Sequence, residues 1–212
     1  MPNKRVKWGH YQNLPLNIDR TPSNMYLWGF LWSDGYIKPP QRVTLEIVTQ
    51  DFNDIRDTIP DIFGIYPRQR KNRQHQTAAI ASRTDLVNWL HRHGYADKQQ
   101  PSEWLTCHKL SYYWYRGVVD GDGCWYWNPK WKTRQFVLAS HFNQEWSFFT
   151  DLLDDLGCRY VIKRRQQRKN TQHYSIVRMC GKNSLRALYE YLYPCGCDIG
   201  LQRKYVKAKL CI

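Results

Sequence analysis

The chain has 212 residues, 42% hydrophobic and 15% aromatic, and its 32 Lys and Arg exceed its 18 Asp and Glu to leave a formal charge of +14. That length holds one large domain or two small ones, and the charge points to a polyanionic partner, nucleic acid ahead of a membrane surface, because no basic amphipathic helix stands out. No apolar run approaches a membrane span and the basic N-terminus lacks a signal-peptide core, so an intracellular protein is expected; the seven scattered cysteines fit reduced thiols, and Cys195 with Cys197 lack the second pair that a zinc site needs.

In chain order, residues 1–24 read as a basic extension. The apolar segment 25–34 predicts a helix, ended by Gly35 at the C′ position. "QRVTLEIVT" alternates and is rich in β-branched residues, which predicts a strand. A helix is expected at "DFNDIRDTI", then a basic hairpin over 65–81 turning near Lys71 and Asn72, then a helix at "TDLVNWLHRHG". The same order returns. A helix over 112–121 ends at Gly123, "QFVLAS" is a strand, and "NQEWSFFTDLLDDLG" is a helix. A second basic hairpin spans 159–179, a helix lies at "NSLRALYEYLY", and "LQRKYVKAKL" reads as a short basic helix. Trp28, Trp32, Trp89, Trp114 and Trp146 are expected in the core, as are Trp125, Trp127 and Trp131 ahead of a role in binding.

The return is a repeat. "LWGFLWSDGYI" (27–37) and "YRGVVDGDGCW" (115–125) superimpose without a gap, each with Gly third and Asp-Gly eighth and ninth, so that Asp34 and Asp122 stand 88 residues apart. "RKNRQH" (70–75) and "RKNTQH" (168–173) differ at one position but are offset by 98, which implies about ten extra residues in the second half, most simply around "WNPKWKTR". Two halves, 25–110 and 111–212, related by a pseudo-two-fold axis, account for both echoes.

The spacing of small residues gives the repeat a geometry. Gly29 and Ser33 are four apart, as are Gly117 and Gly121, so each helix offers a face that another backbone can approach. Helices packed on those faces bring Asp34 and Asp122 together at two helix C-termini, where the dipole and the like charge both disfavour a carboxylate. A divalent cation reverses both effects, and oxygen ligands suit Mg²⁺. A single Asp-Gly is commonly just a turn; a pair in register is harder to explain that way. "DGDGCW" lacks the distal Glu of a calcium loop.

These two segments resemble the signature motifs of the LAGLIDADG homing endonucleases, in the single-chain class with two motifs. The resemblance covers residues 25 to 212. It implies an α+β fold of two αββαββα subdomains whose sheets form a DNA-binding saddle, a monomer, and metal-dependent cutting of both DNA strands across the minor groove at a long asymmetric site. By the motif match Asp34 and Asp122 would bind Mg²⁺ or Mn²⁺, with the carbonyls of Ser33 and Gly121 assisting. The earlier motif acid is Asp120 in the second half and Trp32 in the first, a departure expected to be structural. The family's polar residue at the end of the second strand maps to Gln50 and Ser140, and its basic residue after the last helix maps to Lys98 and Lys204.

On the hairpins, Arg68, Arg70, Arg73, Gln74, Arg164, Gln166, Arg168 and Gln172 are the candidate DNA contacts, because Arg pairs with guanine and Gln with adenine in the major groove. Two rival roles use the same basic surface: a maturase that binds intron RNA, and a DNA-binding regulator without catalysis.

Overall fold

The computed structural model describes residues 16–40, 42–57, 59, 68–69, 76–165 and 173–212. Eight helices and eight strands are placed among them. The first half runs α1 (Pro22–Asp34), β1 (Gly35–Lys38), β2 (Arg42–Val48), α2 (Thr49–Ile55), β3 (Arg68–Gln69), β4 (Gln76–Ser82) and α3 (Thr84–Arg92), with a short α4 (Glu103–Thr106) leading onward. The second runs α5 (Ser111–Asp122), β5 (Gly123–Asn128), β6 (Thr133–His141), α6 (Ser147–Asp155), β7 (Val161–Arg165), β8 (Tyr174–Met179) and α7 (Lys182–Leu192), then α8 (Gln202–Leu210). Each half builds one antiparallel sheet, ordered β1-β2-β4-β3 and β5-β6-β8-β7, so the repeat extends to topology.

Helix α1 begins earlier than its apolar run suggests. Thr21 caps it by accepting from the Asn24 amide, and Pro22 supplies a first residue with no amide to satisfy. Residues 22–24 therefore belong to the first motif helix and not to the extension, and Asn24 is fully buried. At the other end, α1 and α5 pass directly into β1 and β5. Gly35 and Gly123 are extended (φ −74° and −82°), not left-handed as a C′ glycine would be. The reason for glycine is space. A methyl group on Gly35 would lie 2.9 Å from Cδ2 of Leu31, and one on Gly123 would lie 3.0 Å from both Cγ1 of Val119 and Cε2 of Phe136, and each would press closer still on the carbonyl oxygen of the preceding turn.

The extra residues of the second half fall in two places. Gly35 pairs with Leu45 and Gly123 with Leu138, so the offset grows from 88 to 93 across the first hairpin, whose strands are longer in the second half. Leu45 pairs with Ala79 and Leu138 with Val177, which brings the offset to 98. That second increment is the loop 142–146 between β6 and α6; α2 follows β2 with no loop at all. The insertion is thus only half accounted for by "WNPKWKTR".

The core forms where α1 crosses α5. Trp28, Trp32, Trp89, Trp114, Trp125 and Trp146 are all buried, whereas Trp131, at the β5–β6 turn, is 68% exposed. The asymmetric motif acid has a clear cause. Asp120 accepts hydrogen bonds from Tyr26 Oη (3.0 Å), Tyr193 Oη (3.5 Å) and the Leu201 amide (2.8 Å), and burial pushes its carboxyl up to about 6. The matching positions of the first half hold an aromatic cluster instead: Trp32 stands edge-on to both Tyr95 and Trp114. One set of three positions is therefore a network around a carboxylate in one half and an aromatic cluster in the other, where Trp114 Nε1 donates to Tyr95 Oη and Tyr95 Oη to Trp28 O. Sequence reading also overlooked Arg116. Its guanidinium is buried, donates to Leu192 O and Ile199 O, and pairs with Asp198 at 2.6 Å, fixing the "PCGCD" loop.

Candidate active site

The small-residue faces meet. A methyl group at Gly29 would fall 2.7 Å from the carbonyl carbon of Trp114, and one at Gly117 would fall 2.6 Å from the Phe30 nitrogen. One at Gly121 would fall 2.8 Å from Ser33 Oγ and 3.2 Å from Asp34 Oδ2. The Ser33 hydroxyl in turn donates to Val118 O across the interface at 2.9 Å. Asp34 thus lies against the residue that precedes Asp122, and the two carboxylates share the end of the helix pair.

Both carboxylates are reachable by solvent, yet protein flanks them closely enough to strip much of their hydration. That desolvation raises the Asp34 carboxyl, with Lys204 and Lys98 pulling it back. It lifts Asp122 to about 6, and the charge on Asp34 adds to the rise. The repulsion is mutual, so the first proton taken up belongs to the pair. Among the described residues neither carboxylate accepts a hydrogen bond.

Two lysines complete the cluster. Lys98 Nζ donates to Gly35 O (2.7 Å) and Ser33 O (3.2 Å); Lys204 Nζ donates to Gly123 O, the matching carbonyl of the other half. Desolvation lowers Lys98 to about 8 against the pull of Asp122 and Asp34, and it also lowers Lys204, where Arg203 adds to the effect. The largest attraction on Asp34 comes from Lys204 of the second half. For Asp122 it comes from Lys98 of the first. The charges pair crosswise.

The donor set fits a hard divalent cation. It consists of two carboxylates without hydrogen bonds and nearby backbone carbonyls. Among the described residues no group of three or more His, Cys, Asp or Glu is placed to hold a metal, so water and phosphate oxygens would fill the remaining positions, as Mg²⁺ favours. Of the two assisting carbonyls, that of Ser33 already receives the Lys98 ammonium, which favours Gly121.

Gln50 is not at a strand end. It is the second residue of α2 and exposed, while its neighbour Asp51 is buried and forms a bidentate pair with Arg203, 2.6 Å on each arm. Nor is Ser140 its counterpart. Gln50 lies in α2, which matches α6 at an offset of 98, whereas Ser140 lies within β6 and matches Ile47 of β2.

Of the candidate DNA contacts, Arg70, Arg73, Gln74, Gln166, Arg168 and Gln172 lie outside the described residues. Arg68 is on β3, paired with Ala78. Arg164 is exposed on β7, but its register partner is Ser175, which is buried beneath Trp146 on the helix-covered face. The open face carries the alternate residues: Lys163, Arg165 and Arg178 with Tyr126 and Gln135. Arg178 Nε is buried without a partner among the described residues. The strand alternation was legible in sequence, but its phase was not, because every residue of β7 is exposed at the sheet edge.

No family model matches the sequence, and no curated protein matches it either. Solved structures do. The homing endonuclease I-WcaI bound to its DNA recognition sequence matches with a TM-score of 0.60 at 16% identity, over 88% of this chain and 85% of that one. The meganuclease I-SmaMI bound to uncleaveable DNA gives 0.59 at 10% identity, over 89% of each chain. The I-LtrWI LAGLIDADG homing endonuclease bound to target DNA gives 0.58 at 12%, again over 89% of each. A glycine-lined helix pair between two repeated four-stranded sheets defines a class of architecture. It is the LAGLIDADG homing endonuclease fold, and this chain has it.

Proposed function

We propose that the protein is a site-specific endonuclease that hydrolyses one phosphodiester on each strand of duplex DNA, with Mg²⁺ or Mn²⁺ at the paired aspartates. The observation that carries this reading is the pair itself: Asp34 and Asp122, brought together at two helix C-termini, with no hydrogen bond to either among the described residues and a lysine beside each. Folding alone gives no reason for that arrangement. The solved neighbours of the same fold are endonucleases bound to DNA, which supports duplex DNA as the partner.

Asp34 and Asp122 would hold the metal, helped by the Gly121 carbonyl. The metal would supply an acidified water and stabilise charge on the leaving oxygen. The two lysines act on the phosphate. An ammonium has three donors; Lys98 directs two at carbonyls and Lys204 one, which leaves each a proton for a phosphate oxygen. With its acidity near 8, Lys98 stays mostly charged at neutral pH and gives up a proton more readily than an ordinary lysine. Lys163, Arg165 and Arg178 supply positive charge along the open sheet face, for phosphates and for guanine edges.

The experiment is cleavage of a randomised plasmid library in Mg²⁺, with cut ends sequenced, by the wild type and by the Asp34→Asn/Asp122→Asn double variant. Cuts at one recurrent sequence, absent in the variant, support the proposal. No cut of any sequence, with tight binding to structured intron RNA, would replace it with the maturase role. Sequence-specific duplex binding without cutting would replace it with the regulator.

A further inference from the structure

Lys98 has a backbone that a lysine adopts rarely, with φ +55° in the left-handed region. It lies in the loop after α3, where its amide donates to Gly94 O at 3.1 Å and its carbonyl is held from the second half. Gln144 is only 2% exposed, and its amide nitrogen donates to Lys98 O and Glu145 O (2.9 Å each), with Gln99 O sharing a proton at 3.4 Å. The three carbonyls fix which end of the amide is nitrogen, and Ser140 Oγ donates to the oxygen at 2.8 Å. The strap continues: Gln99 Oε1 accepts from the Glu145 amide at 2.7 Å, and Gln100 reaches Glu145 and Ser147. The backbone of Lys98 is thus tied to the second half while its ammonium is tied to Ser33 and Gly35 of the first.

Lys204 is held in the mirror sense. Its neighbour Arg203 grips Asp51 of the first half with both arms, and the Gln202 amide donates to Asp54 at 3.0 Å. Meanwhile Lys204 Nζ reaches Gly123 of its own half. Asp51 and Gln144 each stand three residues beyond the last residue of their half's second strand. Neighbouring elements at the end of the second strand thus anchor the opposite half's lysine through different chemistry: an aspartate of α2 by an ion pair, a glutamine of the inserted loop by its amide.

We propose that Gln144 positions Lys98, and that Asp51 positions Lys204 through Arg203, so that each lysine of the cleavage centre is set by the half to which it does not belong. The proposal rests on the endonuclease reading for its catalytic consequence, though not for the placement itself. Neither Gln144 nor Asp51 touches a reacting group. Loosening one strap frees one lysine and leaves the other in place.

Two readouts separate this from a merely structural role. The first uses no DNA: lysine acetylation by an N-hydroxysuccinimide ester, followed peptide by peptide with mass spectrometry. Gln144→Met raises labelling of Lys98 several-fold and leaves Lys204 unchanged; Arg203→Met does the reverse. Ser140→Ala, which keeps the amide but removes its hydroxyl partner, shifts Lys98 in the same direction by less and covers the case in which Gln144→Met fails to fold. The second readout is strand-resolved cleavage of the selected target. Each strap variant slows one strand on the order of 10- to 100-fold, the loss expected of a misplaced group, and accumulates nicked duplex with unchanged DNA affinity in Ca²⁺. Unchanged labelling of both lysines overturns the proposal, and so does equal slowing of both strands. If the wild type cuts no DNA while labelling shifts as described, the endonuclease reading fails and the crosswise placement stands.

Discussion

Gly117 of α5 lies so close to Gly29 of α1 that a methyl group on it would stand 2.9 Å from the Gly29 carbonyl carbon. The backbones, not side chains, set the distance between the halves, and that distance brings Asp34 against Gly121.

Gly117→Ala therefore tests the interface by sign. Helix propensity alone favours Ala over Gly by about 1 kcal/mol. Forcing two backbones apart opposes this with about 1–3 kcal/mol of overpacking. The expected result in urea unfolding is a net loss of stability, and Gly117→Ala should depress cleavage of both strands together.

Asp122→Asn is expected to stabilise the metal-free protein. A carboxyl raised in the fold supports stability below its ordinary range, and that support is lost as pH rises through about 6. Above that pH the native state carries a desolvated charge beside Asp34; the amide removes it. In EDTA at pH 8 the melting temperature should rise by about 2–4 °C, and the gain should shrink as pH falls through about 6 and vanish below the ordinary carboxyl range, at about pH 4.

Asp120→Asn has the opposite signature. Three donors converge on that buried carboxylate, and an amide offers one oxygen and an NH₂ that meets donors. A stability loss of about 1–3 kcal/mol is expected by denaturant titration. Mn²⁺ binding in the presence of duplex, followed by electron paramagnetic resonance, should persist in Asp120→Asn and be weakened strongly in Asp34→Asn and Asp122→Asn.

The face assignment on β7 is tested with non-specific duplex. Lys163→Ala and Arg165→Ala should each reduce the slope of log affinity against log salt by about 1, as loss of one phosphate contact does. Arg164→Ala, in the row of Ser175, should change it less.

The motif helices, the paired aspartates and the αββαββα order were legible in sequence because a repeat shows them twice. The glycines at 29, 117 and 121 declared the close approach by their spacing alone. Other features left no such trace. Gly35 and Gly123 are required by contact with the preceding turn, not by backbone conformation, and a residue letter does not distinguish the two. The straps that hold Lys98 and Lys204 join residues 46 and 152 apart in sequence, with a glutamine in one half and an aspartate in the other. The glutamine lies in a loop that the first half lacks, so the repeat that exposed the aspartates concealed their supports.

The claim that Asp34 and Asp122 act as a pair is tested most directly by strand-resolved cleavage of the end-labelled target in Mg²⁺ by the wild type and by Asp34→Asn and Asp122→Asn singly. The account predicts linear product from the wild type alone, with at most nicked duplex from either variant. A double-strand break made by Asp34→Asn at the wild-type rate would contradict it.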